Sequence, residues 1–310
     1  MILFAGIPTE APLALAIAEA ERAEVPYLVF NQRQAAHCDL QIEWTRDQPC
    51  GSLWMGGSAQ PLAALTGIYA RMMDVHVLPE HQPRGRTAPE TRPLEKARAV
   101  CALFDEMMDV LPATVVNRPG AMGSNLSKPA QAQAIVRAGL MTPPTIVTNV
   151  PEAVRAFHAE HRRIIYKSIS AVRSIVREWT PTGGPDLAAI TRLPTQFQVY
   201  VPGVDIRVHV VGQKVFATEV RSEAVDYRYA GRDGSSVAMW PVELPADIAA
   251  ACIELTAALR LKLSGIDLKR TPDGEWYCFE VNPSPAYSFF EELGGQPIAA
   301  ALVALLAGTG

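Results

Sequence analysis

The chain has 310 residues, 49% of them apolar and 19% charged, with a net charge of −4; that is enough for two or three packed units of about 100–200 residues each. Acidic and basic residues are mixed along it, and the basic stripe that a nucleic-acid partner requires is lacking. Its five cysteines (Cys38, Cys50, Cys101, Cys252, Cys278) are scattered without zinc-type or CxxC spacing, which points to reduced thiols and a cytoplasmic protein.

Ile2 to Ile7 is a continuous apolar run, the pattern of a strand buried on both faces. A Pro-led helix from about Pro12 to Glu21 follows; Glu10, Glu19 and Glu21 and the lack of a basic leader exclude a signal peptide. Further strands are expected at Tyr27–Asn31, Leu40–Trp44 and Gly67–Arg71, a strand–helix–strand rhythm that suggests a largely parallel sheet. Pro79 to Pro93 reads as an exposed loop, Arg92 to Asp109 as a helix and Thr114–Asn117 as a strand.

A second unit opens near Arg118. Asn125 or Ser127 caps a helix that Gly139 ends near Ala138, and a strand at Thr145–Thr148 leads to a helix begun by Pro151. Strands follow at Arg163–Ser168 and Ile175–Trp179. The third unit begins with a strand at Thr195–Val201, then a hairpin of Asp205–Val211 and Lys214–Arg221 over Gly212-Gln213. After a polar excursion from Ser222 to Ser236 come a helix over Ala246–Leu263, a second hairpin and a closing helix from Gln296. The apolar run Ile298 to Ala307 is too short for a bilayer, which needs about 20 residues, so no membrane partner is expected.

The second hairpin carries the chemistry. In GIDLKRTPDGEWYCFEVNPSP the turn Thr271-Pro272-Asp273-Gly274 brings Asp267 opposite Glu280. Alternation puts Asn282 on the face of Glu280, with Cys278 continuing that line. Three side-chain oxygens on one patch suit a hard cation, Mg²⁺ or Mn²⁺, which shares its shell with substrate phosphates. Lys128 and Lys167 are the basic residues expected beside those phosphates, Lys167 because it ends an apolar strand. The strand edge Gln198-Val199-Tyr200-Val201 can offer main-chain groups to a flat base. Asp205 and Arg207 share one strand face, as a ribose acceptor and an oxyanion clamp; Arg221 and Arg228 add guanidiniums toward the same end of the sheet. Neither a Walker A sequence nor G-x-G-x-x-G occurs.

This ordered set resembles the ATP-grasp superfamily, in the branch of ribosomal-protein glutamate ligases and ligases that crosslink side chains of ribosomal peptides. The resemblance runs from about Asn117 to Ala307 and rests on Lys128, Lys167, Gln198 to Val201, Asp205 to Arg207, Asp226 to Arg228, Asp267, Glu280 and Asn282. It implies an α/β and α+β chain: an ATP-grasp fold behind an N-terminal α/β domain, with units at 1–116, 117–195 and 196–310. It implies ATP as substrate, with Lys128, Lys167 and Arg228 at the phosphates, Gln198, Val199 and Val201 at adenine, and Asp205 at the ribose. Arg207 and Arg221 would face an acyl phosphate, and Asp267, Glu280 and Asn282 would hold the metal. The implied activity is ATP-dependent joining of a carboxylate to an amine, of an amino acid or peptide. A nucleotide-binding module without turnover, and a ligase that forms an ester, use the same cation site and stay open. Association of identical copies is the general prior for a soluble protein.

Overall fold

The computed structural model describes residues 1–44, 49–81, 88–168, 176–181, 187–222 and 237–309. All five residues of β1 (Ile2–Gly6) are buried. The strand lies between parallel neighbours β2 (Tyr27–Asn31) and β6 (Gly67–Arg71), with Ile2 beside both Tyr27 and Gly67. Helix α1 (Ala11–Arg22) links β1 to β2, its first turn closed by Glu10, which accepts from the Leu13 N–H at 3.2 Å. β7 (Thr114–Val116) completes the sheet in the order β2-β1-β6-β7. The chain leaves β1 to one side and returns to β6 on the other, so the sheet has a switch point between them, where a crevice opens at the carboxyl ends of the strands.

The strand expected at Leu40–Trp44 is β3 (Asp39–Trp44), but it does not join this sheet. It pairs antiparallel with β4 (Pro49–Met55), which pairs with β5 (Ser58–Pro61), in a separate three-stranded sheet. Periodicity does not reveal β4 because Gly51 interrupts it. A Cβ there would lie 2.0 Å from the Gln41 carbonyl oxygen, so close pairing with β3 requires glycine. Helix α2 (Ala88–Val110) also begins earlier than expected. Pro93 lies inside it, and the reading of 79–93 as one loop fails for 88–93; residues 82–87 lie outside the described residues. Leu94, Ala97, Cys101, Phe104 and Met108 form its buried stripe, and Phe104 stacks on Phe30 at 4.8 Å.

Short helix α3 (Pro119–Met122) precedes α4 (Lys128–Arg137), which is capped by Ser127, not Asn125; Asn125 lies in a preceding 3₁₀ turn. β8 (Thr145–Thr148), α5 (Pro151–His161), β9 (Ile164–Ser168), β10 (Arg177–Trp179) and β11 (Thr195–Val199) form the second unit; β11, expected to open the third unit and run to Val201, instead ends at Val199 and pairs with β8 and β9. Its antiparallel sheet, ordered β10-β9-β11-β8, packs on α5 through Val154, Phe157, Ile164 and Phe197.

The third sheet runs β14-β13-β12-β15-β16. Its strands are β12 (Val204–Val211), β13 (Lys214–Ser222), β14 (Val237–Val242), β15 (Leu263–Arg270) and β16 (Trp276–Asn282). Helix α6 (Ala246–Ala258) stops short of the expected Leu263. Arg260 takes a φ of 58°, and Leu261 and Leu263 turn back into the core at the start of β15. The remaining helices are α7 (Ser288–Gly294), with no counterpart in the sequence reading, and α8 (Ile298–Ala307). One face of the sheet packs on α4 and α6 through Ile206, Val208, Leu255, Ile266 and Cys278. The other shares a core with the first unit, in which Leu263, Phe290 and Leu302 meet Ile2, Phe4 and Leu13. Among the described residues no helix is long and apolar enough to cross a membrane.

His209 on β12 is fully buried, edge-on to Phe290 at 4.9 Å, and neither ring nitrogen has a hydrogen-bond partner among the described residues. Burial, then the nearby Arg207 charge, holds its pKa well below the ordinary value of 6.5. The unfolded chain therefore binds a proton below that value that the folded chain refuses, and stability falls as pH drops through 6.5. Below that pH the slope from His209 approaches about 1.4 kcal/mol per pH unit, one full proton's difference between the two states. His209→Leu is expected to flatten it, measured by urea unfolding at pH 5 and pH 8.

Candidate functional site

β15 and β16 pair with Asp267 opposite Glu280 and Gly265 opposite Asn282, the register that the turn implied. The line through Cys278 is the exception. A bulge between Asp267 and Leu268 sets Leu268 against Cys278, so Phe279 is the extra residue. Cys278 consequently turns into the core with Val281, away from Glu280.

Asp267 and Glu280 line a cavity of about 150 Å³ between the second and third sheets. Lys167 from β9, Gln198 from β11, Val201, and Asp205 and Arg207 from β12 line the same cavity. Arg207 lies directly across from Asp267 on the neighbouring strand and donates to its Oδ1 at 2.5 Å. Lys167 is almost wholly buried, opposite Gln196 on β11. Gln198 donates to Thr145 Oγ1 at 2.9 Å, while its own oxygen is buried without a partner among the described residues. A buried acceptor on a cavity wall suits a ligand that brings an N–H.

Other expected residues stand apart. The Val199 N–H is already donated to the Pro144 oxygen, and Val199 does not line the cavity; Tyr200 and Val201 do. Arg221 does not join Arg207. Arg207 faces Thr218 across the ladder, so alternation turns Arg221 to the opposite sheet face. There it pairs with Glu219 at 2.8 Å and lies over Trp240. Lys128 opens α4, outside the cavity wall, and Arg228 lies outside the described residues. Asn282 sits beyond Glu280 on the same strand face, its Oδ1 accepting from the Ser284 N–H at 2.8 Å.

Several site residues escaped the sequence reading. Lys269 pairs with Asp205 at 3.1 Å and approaches the Tyr200 ring; it lies two residues beyond Asp267, and alternation alone would have flagged it. Gln131 gave no such signal. β16 is an edge strand, and the buried Gln131 side chain donates to the Val281 carbonyl at 2.8 Å and accepts from its N–H at 2.9 Å. Val281 lies between Glu280 and Asn282, so one amide from α4 fixes the strand that presents both. Asn117 similarly donates to the Pro283 and Leu263 carbonyls. Gln131→Leu leaves the Val281 groups unsatisfied, and a loss of about 1–3 kcal/mol is expected by urea unfolding.

The two carboxylates fit a hard divalent ion. Mg²⁺ takes one or two carboxylates and completes its shell with phosphate and water. Among the described residues no group of three His, Cys, Asp or Glu side chains surrounds a metal position, so the protein offers a partial shell, extended by the Asn282 oxygen.

A second, larger cleft of about 850 Å³ opens at the switch point of the first sheet. Glu10 after β1 and Arg71 at the end of β6 form a bidentate pair at 2.7 and 2.8 Å, and Arg71 also donates to Ser284 Oγ and the Pro285 carbonyl at 3.1 Å. Burial opposes the Arg71 charge, but Tyr69 and Glu10 hold its pKa above the ordinary value. Ser284 links this cleft to the carboxylate hairpin, since its N–H is the group that Asn282 accepts from.

Residues 127–306 match the family model described as RimK-like ATP-grasp domain. A curated D-alanine–D-alanine ligase from Cereibacter sphaeroides is 32% identical over 156 residues, 47% of this chain and 50% of that protein, so the chain spans about half the length of the curated relative it matches. Similar solved structures include a RiPP-associated ATP-grasp ligase of Chryseobacterium gregarium in complex with ADP and a leader and core peptide. It is 19% identical with a TM-score of 0.82, covering 100% of this chain and 97% of that one. The macrocyclase MdnC of Microcystis aeruginosa MRC, bound with precursor peptide MdnA, is 21% identical with a TM-score of 0.79 over 99% of both chains. The ATP-grasp ligase PsnB, complexed with a minimal precursor variant, Mg and ADP, is 22% identical with a TM-score of 0.77, over 99% of this chain and 98% of that one. At these identities the structures establish a shared fold.

Proposed function

The chain belongs to the RimK-like ATP-grasp family, and on that premise we propose that it is an ATP-dependent carboxylate–amine ligase acting on an amino acid or peptide. One observation carries this reading: side chains from Lys167 to Glu280, drawn from two sheets, converge on a single cavity that holds cations, hydrogen-bonding groups and paired carboxylates together. The ADP, Mg and peptides bound by similar ligases support it.

Lys167 meets the phosphates of ATP, with Lys128 approaching from α4. The Tyr200–Val201 edge and Gln198 receive the base, and Asp205, steadied by Lys269, receives the ribose. Asp267, Glu280 and Asn282 would hold Mg²⁺, which when bound supplies positive charge to phosphate oxygens. A substrate carboxylate oxygen attacks the γ-phosphorus, and the bond to the β-phosphate oxygen breaks, releasing ADP and leaving an acyl phosphate. The amine then attacks the acyl carbon; the C–N bond forms, and phosphate departs with the C–O electron pair and takes up the proton that the nitrogen loses. Arg207, fixed by Asp267, offsets negative charge during transfer. Arg221 and Arg228 have no role assigned in these steps.

Incubation with ATP, Mg²⁺ and pooled amino acids or peptides tests the reading. Substrate-dependent ADP release with a product resistant to mild base supports an amide ligase. Tight ATP binding without release under any mixture refutes turnover, and a base-labile product identifies an ester.

A further inference from the structure

We propose that the large cleft at the switch point of the first sheet is the docking site for the amine substrate, and that Asp105 on α2 receives its ammonium group. The fate of that amine rests on the ligase reading above; its binding does not.

Most charged groups around the cleft are committed. Glu10 and Arg71 hold one another, and Asp74 caps the His76 N–H at 2.8 Å. Asp109, one helical turn from Asp105, turns both oxygens to the Gly120 N–H at 3.1 Å. Asp105 lines the cleft yet has no hydrogen bond or ion pair among the described residues. Burial and then repulsion from Asp109 push its carboxyl up to about 6. A half-buried acid beside a like charge is costly unless a cation visits. A metal ion is poorly served there: no cluster of three ligating side chains exists among the described residues, and Asp109 is occupied. An ammonium group needs only one carboxylate and carries its own donors.

The rest of the wall defines what bears that ammonium. Met72, Met73, Met108 and Met122 line the cleft, and unbranched thioethers adapt to a flexible apolar chain. The segment carrying Met72 and Met73 is preformed: buried Gln32 accepts from the Met73 N–H at 2.9 Å and donates to its carbonyl. The ligand class is therefore a primary amine on an unbranched apolar stem, entering beside Ser284 and the strand that carries Glu280.

Calorimetric titration of the full chain at pH 8, without nucleotide, with n-hexylamine, hexanoate and 1-hexanol tests this. The amine is expected to bind at least tenfold more tightly than the acid or the alcohol. Asp105→Asn keeps the shape, removes the repulsion with Asp109 and is expected to weaken amine binding at least tenfold while ADP·Mg affinity stays unchanged. Equal amine binding by wild type and variant, or preference for hexanoate, overturns the proposal. Absence of ADP release with every substrate would instead sink the ligase reading and leave the titration result standing.

Discussion

Glu280→Gln is expected to lower substrate-dependent ADP formation at least about a hundredfold, some 3 kcal/mol of transition-state stabilisation, while leaving the fold intact. Glu280 has no hydrogen bond or ion pair from its side chain among the described residues and is half-buried on an edge strand, so the isosteric amide removes charge without removing a contact. What it removes is one of two carboxylates facing each other across the β15–β16 ladder. A cation held by the remaining Asp267, itself shared with Arg207, is held more weakly, and the Mg²⁺ concentration for half-maximal rate should rise. Stability by urea unfolding should stay within about 0.5 kcal/mol of wild type. Wild-type turnover in the variant would remove the metal assignment.

The second large effect is expected at Gly265, which no chemical motif would select. A Cβ there would stand 2.1 Å from Arg207 Nη2 and 2.7 Å from both Arg207 Cζ and Pro285 Cβ. The guanidinium has no room to retreat, since it is nearly buried, bonded to Asp267 and close to the Phe290 ring. Gly265→Ala therefore displaces Arg207 from Asp267, or pushes the segment after β16 outward. Overpacking of this kind costs about 1–3 kcal/mol. Because the displaced groups are those proposed to meet phosphate and metal, kcat should fall more than tenfold. Gly274→Ala provides the comparison. That glycine has a φ of +87° with nothing within 4 Å of its would-be Cβ, so alanine strains the turn by about 1–2 kcal/mol and leaves the rate intact. If both variants lose only stability and keep equal rates, Arg207 has no part in the chemistry.

Where strand alternation or a turn governs a position, the sequence was readable. Gly212-Gln213 set the β12–β13 register, and Thr271 to Gly274 set Asp267 against Glu280. The reading failed at Cys278, where Phe279 in the bulge altered that count, and at Arg221, which regular alternation from Thr218 places on the far face. At the end of β11 the side-chain motif was legible, but which main-chain groups stayed free was not. The Val199 N–H is taken by Pro144, more than fifty residues earlier.

By itself, the sequence determined the strands of the first sheet, the two hairpins and the order in which Lys167, Asp205, Arg207, Asp267 and Glu280 reach the cavity between the second and third sheets. These follow from side-chain period and turn chemistry, both recorded within a few residues of chain. Tertiary structure alone decided what holds the reactive edge and what lies beside it. Gln131 and Asn117 satisfy β16 and its continuation from 150 and 166 residues away, α8 returns to the first sheet, and Arg71 joins Glu10 to Ser284. Such contacts depend on which unpaired backbone group or apolar face arrives nearby when the units pack, and no local period encodes that arrival.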